Sequence, residues 1–259
     1  MLEQLNQNGY SIIRSMIPGE LCQQVIKFFN NDVKVYEGNI LRFPTYAQEA
    51  NKFDSFGHVK NRIAELQSIN KPTLENFISA CFNVVINQRM LEEISSFFGE
   101  EPAAGQTFYF ESNNGRTLAH QDLFYIPNTI DRTMTAWIAL EDINPAAGGL
   151  YVYPESHRLE RAIELAGNRK TDFKDEVRYL GELRRTIKTF DLRMEVPQMN
   201  MGDVILFDGV LIHGSLQTQQ PEYSRNSITG HFLPLSKIKS IPKKIINGMQ
   251  VIANPTQFY

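Results

Sequence analysis

The stretch that decides the fold is LAHQDLFYI, residues 118–126, in which aliphatic and aromatic side chains flank a short polar centre. A short run of this composition predicts a β-strand. Because side chains alternate along a strand, we expect His120 and Asp122 on one face and Gln121 on the other. An imidazole and a carboxylate then point the same way, so this strand is a candidate side of a metal site.

Similar β-rich runs recur through the second half of the chain. They cover residues 107–110, 134–140, 150–153, 204–207, 210–213 and 227–233. Segments rich in turn-forming residues, such as 144–149 and 201–203, separate most of them. Seven or eight short strands at this spacing predict a jelly roll, in which two antiparallel sheets pack against each other. We therefore expect a mainly β fold with flanking helices.

The first part of the chain has a different pattern. Residues 9–14 predict a short strand, and Pro18 opens an amphipathic helix. Apolar residues at helical spacing predict two more helices, which begin near Asn70 and end before Gly99. Residues 31–68 show no clear periodicity and receive no assignment. We expect the helices to buttress one outer face of the sheet.

These patterns predict a single domain that spans all 259 residues. Residues 1–99 form the opening strand and the helices, and residues 100–234 form the jelly-roll core. A charged, helix-compatible insertion near 158–193 interrupts the core; we expect a solvated helical segment, although its position also suits a lid. Residues 235–259, with several lysines, are expected to form a solvated, loosely packed tail.

Composition narrows the classes of partner. The net charge of -3 and the pI near 6.0 argue against a nucleic-acid-binding surface and favour a small-molecule substrate. The sequence has no run of about 18 apolar residues and no signal-peptide pattern, so we expect neither membrane spanning nor secretion. Cys22 and Cys81 are isolated, which is typical of buried thiols in a reducing, cytoplasmic protein. The oligomeric state is not indicated.

A third metal ligand is available from a distant strand. His-X-Asp is weak as a motif by itself, since chance pairs are frequent. If His213 joins His120 and Asp122, two imidazoles and one carboxylate bind one side of a metal and leave its other positions open. This donor set suits iron(II), with a co-substrate and oxygen in the open positions.

Two further strands place polar groups beside this site. Ser215 shares the face of His213, and Arg225 shares a face with Ser227 along the next predicted strand. A buried guanidinium requires an anion, and its planar fork matches a carboxylate. The distal carboxylate of 2-oxoglutarate is a suitable partner for Arg225.

Five blocks of the chain, taken together, resemble one known family. They are residues 9–14, then 120–123, then 137–142 with 148–150 and 154–157, then 202–207 with 213–215, and finally 225–227 followed by Phe232. In content and order these blocks are similar to the phytanoyl-CoA dioxygenase family of iron(II)- and 2-oxoglutarate-dependent oxygenases. That family has a cupin-like double-stranded β-helix of jelly-roll type. Glu155 stands where the family usually has glycine, a departure that affects a turn more than the chemistry.

The resemblance implies a cofactor set and its ligands. It implies iron(II), bound by His120, Asp122 and His213, with 2-oxoglutarate and O2 as co-substrates. The 2-oxoglutarate site would contain Arg225, Ser215 and Trp137, and strand parity adds Ser227. A tryptophan in a β-rich run is also often plain core.

Several residues stay without a firm role. The family's namesake has an upstream lysine near the cofactor, and the sequence does not decide whether Lys60 or Lys71 matches it. His58 is unassigned, and His157 and His231 are expected to satisfy local hydrogen bonds. Five aromatic residues have two interpretations: they form an aromatic wall of the substrate site, or they pack in the core. They are Phe108, Phe124, Tyr125, Tyr151 and Tyr153.

The predicted activity is hydroxylation of an unactivated C–H bond in a small metabolite or natural-product intermediate, with release of succinate and CO2. Desaturation, cyclisation or epimerisation would use the same cofactors. Family members that halogenate replace the carboxylate ligand by a small residue, so Asp122 argues against halogenation. From other classes, a non-catalytic metal- or ligand-binding jelly roll and a metal-dependent hydrolase stay open. A CoA ester would require a basic groove for its phosphates, and the acidic residues that interleave with the basic ones in the 158–193 insertion favour a solvated face instead.

Overall fold

The structure is a computed structural model that describes residues 1–113, 115–126, 130–167 and 173–255. Its α-helices are α1 (Leu2–Asn8), α2 (Gly19–Phe28), α3 (Glu75–Val85), α4 (Gln88–Phe98), α5 (Glu160–Gly167) and α6 (Phe173–Thr189). Its strands are β1 (Tyr10–Ile13), β2 (Ile40–Phe43), β3 (Ala47–Glu49), β4 (Arg62–Ala64), β5 (Pro102–Phe110), β6 (Thr117–His120), β7 (Met134–Ala139), β8 (Leu150–Val152), β9 (Val204–Asp208), β10 (His213–Ser215), β11 (Ser227–Pro234), β12 (Lys243–Ile246) and β13 (Met249–Ile252).

The strands form two sheets. The large sheet has the order β1-β9-β7-β11-β5-β4-β2-β3, and the hairpin of β12 and β13 joins it where β13 pairs with β5. The small sheet has the order β6-β10-β8. Pairing is antiparallel throughout the two sheets except between β13 and β5. This arrangement confirms the predicted mainly β jelly roll with flanking helices.

One apolar layer lies between the helices and the large sheet. Cys22 of α2 and Cys81 of α3 are both free thiols, fully buried in one cluster with Ile138 of β7 and Ile228 of β11. The helices therefore cover an outer face of the sheet, as expected. Their ends follow local rules, because Asn87 caps α4 by accepting a hydrogen bond from Met90 N (3.1 Å) and Gly99 ends it at φ 74°.

A second apolar layer joins the two sheets. Its buried members are Trp137, Val152, Ile205, Phe207 and Leu211, among others. The layer holds the small sheet against β7 and β9, and the polar side chains of the site lie beside it. None of the helices in the described ranges has the length and apolar composition needed to cross a bilayer.

Two parts of the chain differ from the sequence-based expectation. Residues 31–68, left unassigned, contain β2, β3 and β4, which extend the large sheet from β5. The tail from residue 235 is packed rather than loose, since Val251 and Ile252 of β13 are fully buried. The lysines of β12 are exposed or half-buried. Because of them, the sequence of this hairpin shows no clear alternation of apolar and polar residues.

The insertion near 158–193 is helical, as expected, but it is not simply solvated. Leu165 of α5 and Leu183 of α6 are buried in a cluster with Phe124. Residues 168–172, which include part of its predicted basic content, lie outside the described residues. The described helices pack on the turn that follows β6.

Candidate metal centre and co-substrate site

Three side chains predicted as metal ligands meet at one end of the small sheet. His120 ends β6 and His213 begins β10, and the two residues are direct partners in the antiparallel ladder. Their rings lie 4.3 Å apart, and Asp122 Oδ1 is 3.5 Å from His120 Nε2 and 3.4 Å from His213 Nε2. One donor atom from each residue therefore lies within 4.8 Å of the other two.

The backbone around Asp122 does not have the conformation that strand parity assumes. The predicted strand over 118–126 ends at His120, and Asp122 opens a 3₁₀ turn, Asp122–Tyr125. The prediction of one continuous strand was wrong, because the chain turns at Gln121. The Gln121 amide does face the other way, donating to Ala162 O (3.0 Å) and Val210 O (2.5 Å). The predicted strand over 210–213 likewise begins only at His213.

Both candidate imidazoles are oriented by the backbone. His120 Nδ1 lies 2.8 Å from Leu118 O, and His213 Nδ1 lies 3.0 Å from Leu211 O. A carbonyl accepts only from a protonated Nδ1, which leaves the Nε2 lone pair directed at the centre. Ligating histidines in metal sites usually have such a partner on the second nitrogen.

Asp122 supplies the negative charge of the centre. Burial alone would raise the pKa of this carboxyl, but attraction from His213 and His231, together with contacts to the two candidate imidazoles, holds the pKa well below its ordinary value. The group is therefore ionised at neutral pH. Two imidazole nitrogens and one carboxylate oxygen on one side of a centre fit iron(II).

Arg225, just before β11, is buried (3% exposed) and has few partners. Its NH1 donates to Gly148 O (3.1 Å), while its Nε has no partner in the described residues. The guanidinium Cζ lies 5.4 Å from the Phe110 ring centroid and 5.7 Å from that of Trp137. Burial, and after it repulsion from Arg62, lowers the pKa of Arg225 to about 9. A buried cation in this situation calls for an external anion, which fits a 2-oxoglutarate carboxylate.

Arg62 of β4 lies in the stretch 31–68 that the sequence left without secondary structure, where it was considered, with His58 and Lys60, only as a residue that could line a cleft. Its Cζ lies 5.1 Å from the Phe110 ring centroid, and its NH2 is within 3.3 Å of Thr117 Oγ1. Burial lowers the pKa of Arg62 to about 10. It is the guanidinium whose charge acts on Arg225. A three-residue strand gives too short a pattern for parity to reveal this position.

The other basic residues considered upstream have different surroundings. Lys71 is exposed and lines an outer groove with Phe82 and Ile246. His58 Nδ1 lies 3.5 Å from Asp54 Oδ2, within its own loop. Neither residue contacts the candidate ligands.

The hydroxyls predicted to bind the co-substrate already have protein partners. Ser215 Oγ donates to Asn113 Oδ1 (3.0 Å) and accepts from Thr117 N (2.8 Å). Ser227 Oγ donates to Arg225 O (3.3 Å). Ser215 therefore braces the start of β6 against β10, and Ser227 braces the backbone of Arg225. Trp137 belongs to the layer between the sheets and reaches the site through its ring contact with Arg225.

Of the five aromatic residues predicted near the substrate, two lie beside the centre. Tyr125 approaches the edge of His120 (6.0 Å between centroids), and Phe108 approaches His231 (5.8 Å). Phe124 stacks on Tyr179 of α6 at 3.7 Å and is part of the packing.

The remaining two aromatic residues contact each other. Tyr151 and Tyr153 lie edge to face at 5.8 Å, and the Tyr151 hydroxyl donates to Thr117 O (3.4 Å). His157 bonds to Asn6 O (3.1 Å), as expected for a structural histidine. His231 differs, because its Nε2 lies 3.4 Å from Asp122 Oδ2.

Helix α6 lies against the turn that carries Asp122. The Tyr125 hydroxyl donates to Glu176 Oε1 (3.0 Å), and the Tyr179 hydroxyl donates to Gln121 Oε1 (3.3 Å). The insertion therefore contacts the residues on either side of the carboxylate. A lid role for this insertion stays a prediction.

Comparison with known proteins gives one family and several related structures. The family model described as Phytanoyl-CoA dioxygenase (PhyH) matches residues 5–226. No curated protein matches the chain in sequence. The epimerase SnoN, solved in complex with Fe3+, alpha ketoglutarate and nogalamycin RO, is 15% identical with a TM-score of 0.63, covering 90% of this chain and 81% of SnoN.

Two more solved structures have the same fold. The alpha ketoglutarate dependent carbocyclase SnoK from nogalamycin biosynthesis is 15% identical with a TM-score of 0.61, covering 90% of this chain and 83% of SnoK. EctD from S. alaskensis, solved with 2-oxoglutarate and 5-hydroxyectoine, is 16% identical with a TM-score of 0.61, covering 91% of this chain and 75% of EctD. At this level of identity the likeness establishes the fold.

Proposed function

The chain belongs to the phytanoyl-CoA dioxygenase family, and we propose that it is an iron(II)- and 2-oxoglutarate-dependent dioxygenase that hydroxylates an unactivated C–H bond of a small molecule. The observation that carries the proposal is the pairing of a His-Asp-His cluster with a buried arginine that has no counter-anion among the described residues. A protein that only binds a metal has no need of this buried arginine.

The proposal assigns iron to His120 Nε2, Asp122 Oδ1 and His213 Nε2. When bound, iron supplies the oxidation: 2-oxoglutarate and O2 are converted to succinate and CO2, and one oxygen atom is inserted into the C–H bond of the substrate. The task of the protein is to hold three ligands on one side, so that the positions opposite them stay open for the co-substrates.

The proposal assigns the distal carboxylate of 2-oxoglutarate to Arg225. A guanidinium and a carboxylate form two parallel hydrogen bonds, and Arg225 Nε is free to donate one of them. Arg62 adds a second positive charge beside the same Phe110 ring. This pair of cations favours a dianionic co-substrate over a monocarboxylate.

Other outcomes with the same cofactors are consistent with the same residues. SnoN is described as an epimerase and SnoK as a carbocyclase, while EctD was solved with 2-oxoglutarate and 5-hydroxyectoine. Hydroxylation is preferred as the outcome that needs no further group on the protein.

The experiment that tests the proposal measures co-substrate consumption. The protein is loaded anaerobically with iron(II) and 2-oxoglutarate, exposed to O2, and screened against small molecules for stimulated succinate release. Succinate formation that requires iron and increases with one compound is the expected result, and mass analysis of that compound distinguishes a gain of oxygen from a loss of hydrogen. Zinc-supported, oxygen-independent turnover would instead identify a hydrolase.

A further inference from the structure

The second oxygen of Asp122 has its own partners, and both come from the large sheet. Thr135 Oγ1 of β7 donates to Asp122 Oδ2 at 2.5 Å, and His231 Nε2 of β11 lies 3.4 Å from the same oxygen. Oδ1, by contrast, is the oxygen that faces His120 and His213. The two oxygens of one carboxylate therefore have separate surroundings.

The two partners of Oδ2 form a matched pair. Thr135 and His231 are direct cross-strand partners in the ladder of β7 and β11, so their side chains stand next to each other on one face. Both are buried, with His231 8% exposed. The large sheet thus reaches Asp122 with two adjacent polar side chains, a hydroxyl that donates a hydrogen bond and an imidazole at ion-pair distance, although Asp122 itself belongs to the turn after β6.

His231 is placed for this contact and not for metal binding. His120 and His213 each anchor Nδ1 on a backbone carbonyl and direct Nε2 at the centre. His231 Nδ1 has no partner in the described residues, and its Nε2 is directed at Oδ2. The Asp122 contact is thus the one polar interaction recorded for this ring within the described ranges.

From this geometry we infer that Thr135 and His231 are positioning residues that hold Oδ2 away from the metal, so that Asp122 binds through Oδ1 alone. The inference rests on the proposed iron ligands. An Asp122 carboxylate held in this way would take up one coordination position of a bound ion. A carboxylate that bound through both oxygens would take up two and would leave less room for the co-substrates.

The test uses Co(II), which binds to such donor sets and reports its coordination in its visible absorption. The variants Thr135→Val and His231→Leu each remove one polar partner of Oδ2: the first a hydrogen-bond donor, the second an imidazole at ion-pair distance. Each is expected to weaken Co(II) binding about tenfold and to change the shape of the visible band, in line with the roughly 10- to 100-fold effects of removing partners of metal ligands. The conservative variants Thr135→Ser and His231→Gln keep a donor and are expected to restore both properties.

The matched control is Thr133→Val. Thr133 is also buried, and its hydroxyl also donates a hydrogen bond, but to Phe232 O (3.0 Å) rather than to Asp122. Thr133→Val removes a threonine hydroxyl, as Thr135→Val does, but leaves the contacts of Asp122 unchanged. Its Co(II) affinity and band shape should therefore match those of the unmodified protein. If one of the two test variants does not fold, the other removes a donor to the same oxygen from the neighbouring strand.

The outcomes separate the inference from the proposed function. If Thr135→Val and His231→Leu bind Co(II) with the affinity and spectrum of the control while Asp122→Ala loses it, the ligand set stands and the positioning pair is overturned. If Asp122→Ala retains Co(II) binding, the ligand set itself is wrong. Weaker binding and an altered band in both test variants, with rescue by Ser and Gln, supports the inference.

Discussion

Arg62 and Arg225 both contact one aromatic ring: their guanidinium carbons lie 5.1 and 5.4 Å from the centroid of Phe110. Two cations at this spacing repel each other, and burial adds to the cost of charging both. The ring reduces that cost through its negative face, but it does not replace an anion. The pair is therefore poised to bind a carboxylate.

We predict unequal effects when either arginine is removed. Arg225→Met should weaken 2-oxoglutarate binding by about 100-fold or more, because removing one partner of a buried, hydrogen-bonded charge pair costs about 2–5 kcal/mol. Arg62→Met should weaken it about tenfold, as expected for a charge that contributes without a bidentate bond. Isothermal titration of the anaerobic, metal-loaded protein with 2-oxoglutarate measures both values.

The control for this pair is Arg132→Met. Arg132 also stacks on a phenylalanine, 4.4 Å from the Phe97 ring centroid, but it donates to Phe97 O. The same substitution there should leave the 2-oxoglutarate affinity unchanged. Equal affinities for Arg225→Met and Arg132→Met would exclude Arg225 as the carboxylate site.

The C-terminal hairpin gives a second prediction, which concerns stability. Ile252→Ala should lower the free energy of unfolding by about 2–5 kcal/mol, because the side chain is fully buried with Leu233 and Ile238. Ile245→Ala on the adjacent strand is the matched control, since Ile245 is 74% exposed and should change stability by less than about 0.5 kcal/mol. Urea unfolding measures both; equal values would mean that this hairpin is not part of the cooperative fold.

The same hairpin shows where sequence-based prediction fails. Long, periodic elements such as α3, α4 and β7 were predicted correctly because their own residues carry the pattern. In β12 and β13 the alternation covers only four residues per strand, and Lys243 and Lys244 suggest a solvated end. What buries Ile252 is pairing with β5, a contact between residues far apart in the chain. Such contacts cannot be read from local periodicity.

The candidate site was predicted in part for a similar reason. His120, Asp122, His213 and Arg225 could be identified because motif and spacing mark them. The predicted conformation at Asp122 was wrong, because a 3₁₀ turn stands where a strand was expected. Arg62 and Thr135 carry no motif, and they reach the site only through sheet register. Register depends on pairing with distant strands, which the sequence does not reveal.

A third prediction concerns pH and Asp208 at the end of β9. Burial raises the pKa of this carboxyl above its ordinary value, and its Oδ1 accepts from Val210 N (2.9 Å). The folded state therefore binds the proton more tightly than the unfolded state. The contribution of Asp208 to stability is greatest at low pH and is lost as the pH rises from the unfolded pKa through the raised folded pKa.

Asp208→Asn keeps an acceptor for Val210 and removes the charge. The variant should be more stable than the unmodified protein at pH 7, and the difference should shrink toward zero as the pH approaches the ordinary aspartate pKa, about 3.9. Thermal unfolding of both proteins across this range measures the difference. A constant difference at all pH values would show that the substitution acts through packing instead of through ionisation.

The last prediction tests the ligand set by chemical replacement. Asp122→Gly removes a carboxylate but leaves Thr135 and His213 in place, so formate should restore Co(II) binding to this variant in a saturable way. His213→Gly removes an imidazole whose Nδ1 partner, Leu211 O, also remains, and added imidazole should restore its metal binding. Each variant is the control for the other, because the space left in each has different shape and charge. If formate rescued both variants equally, or neither, the assignment of Asp122 Oδ1 and His213 Nε2 as individual ligands would be contradicted. Rescue of Asp122→Gly by formate and of His213→Gly by imidazole is expected only if each side chain supplies a donor atom to the same ion.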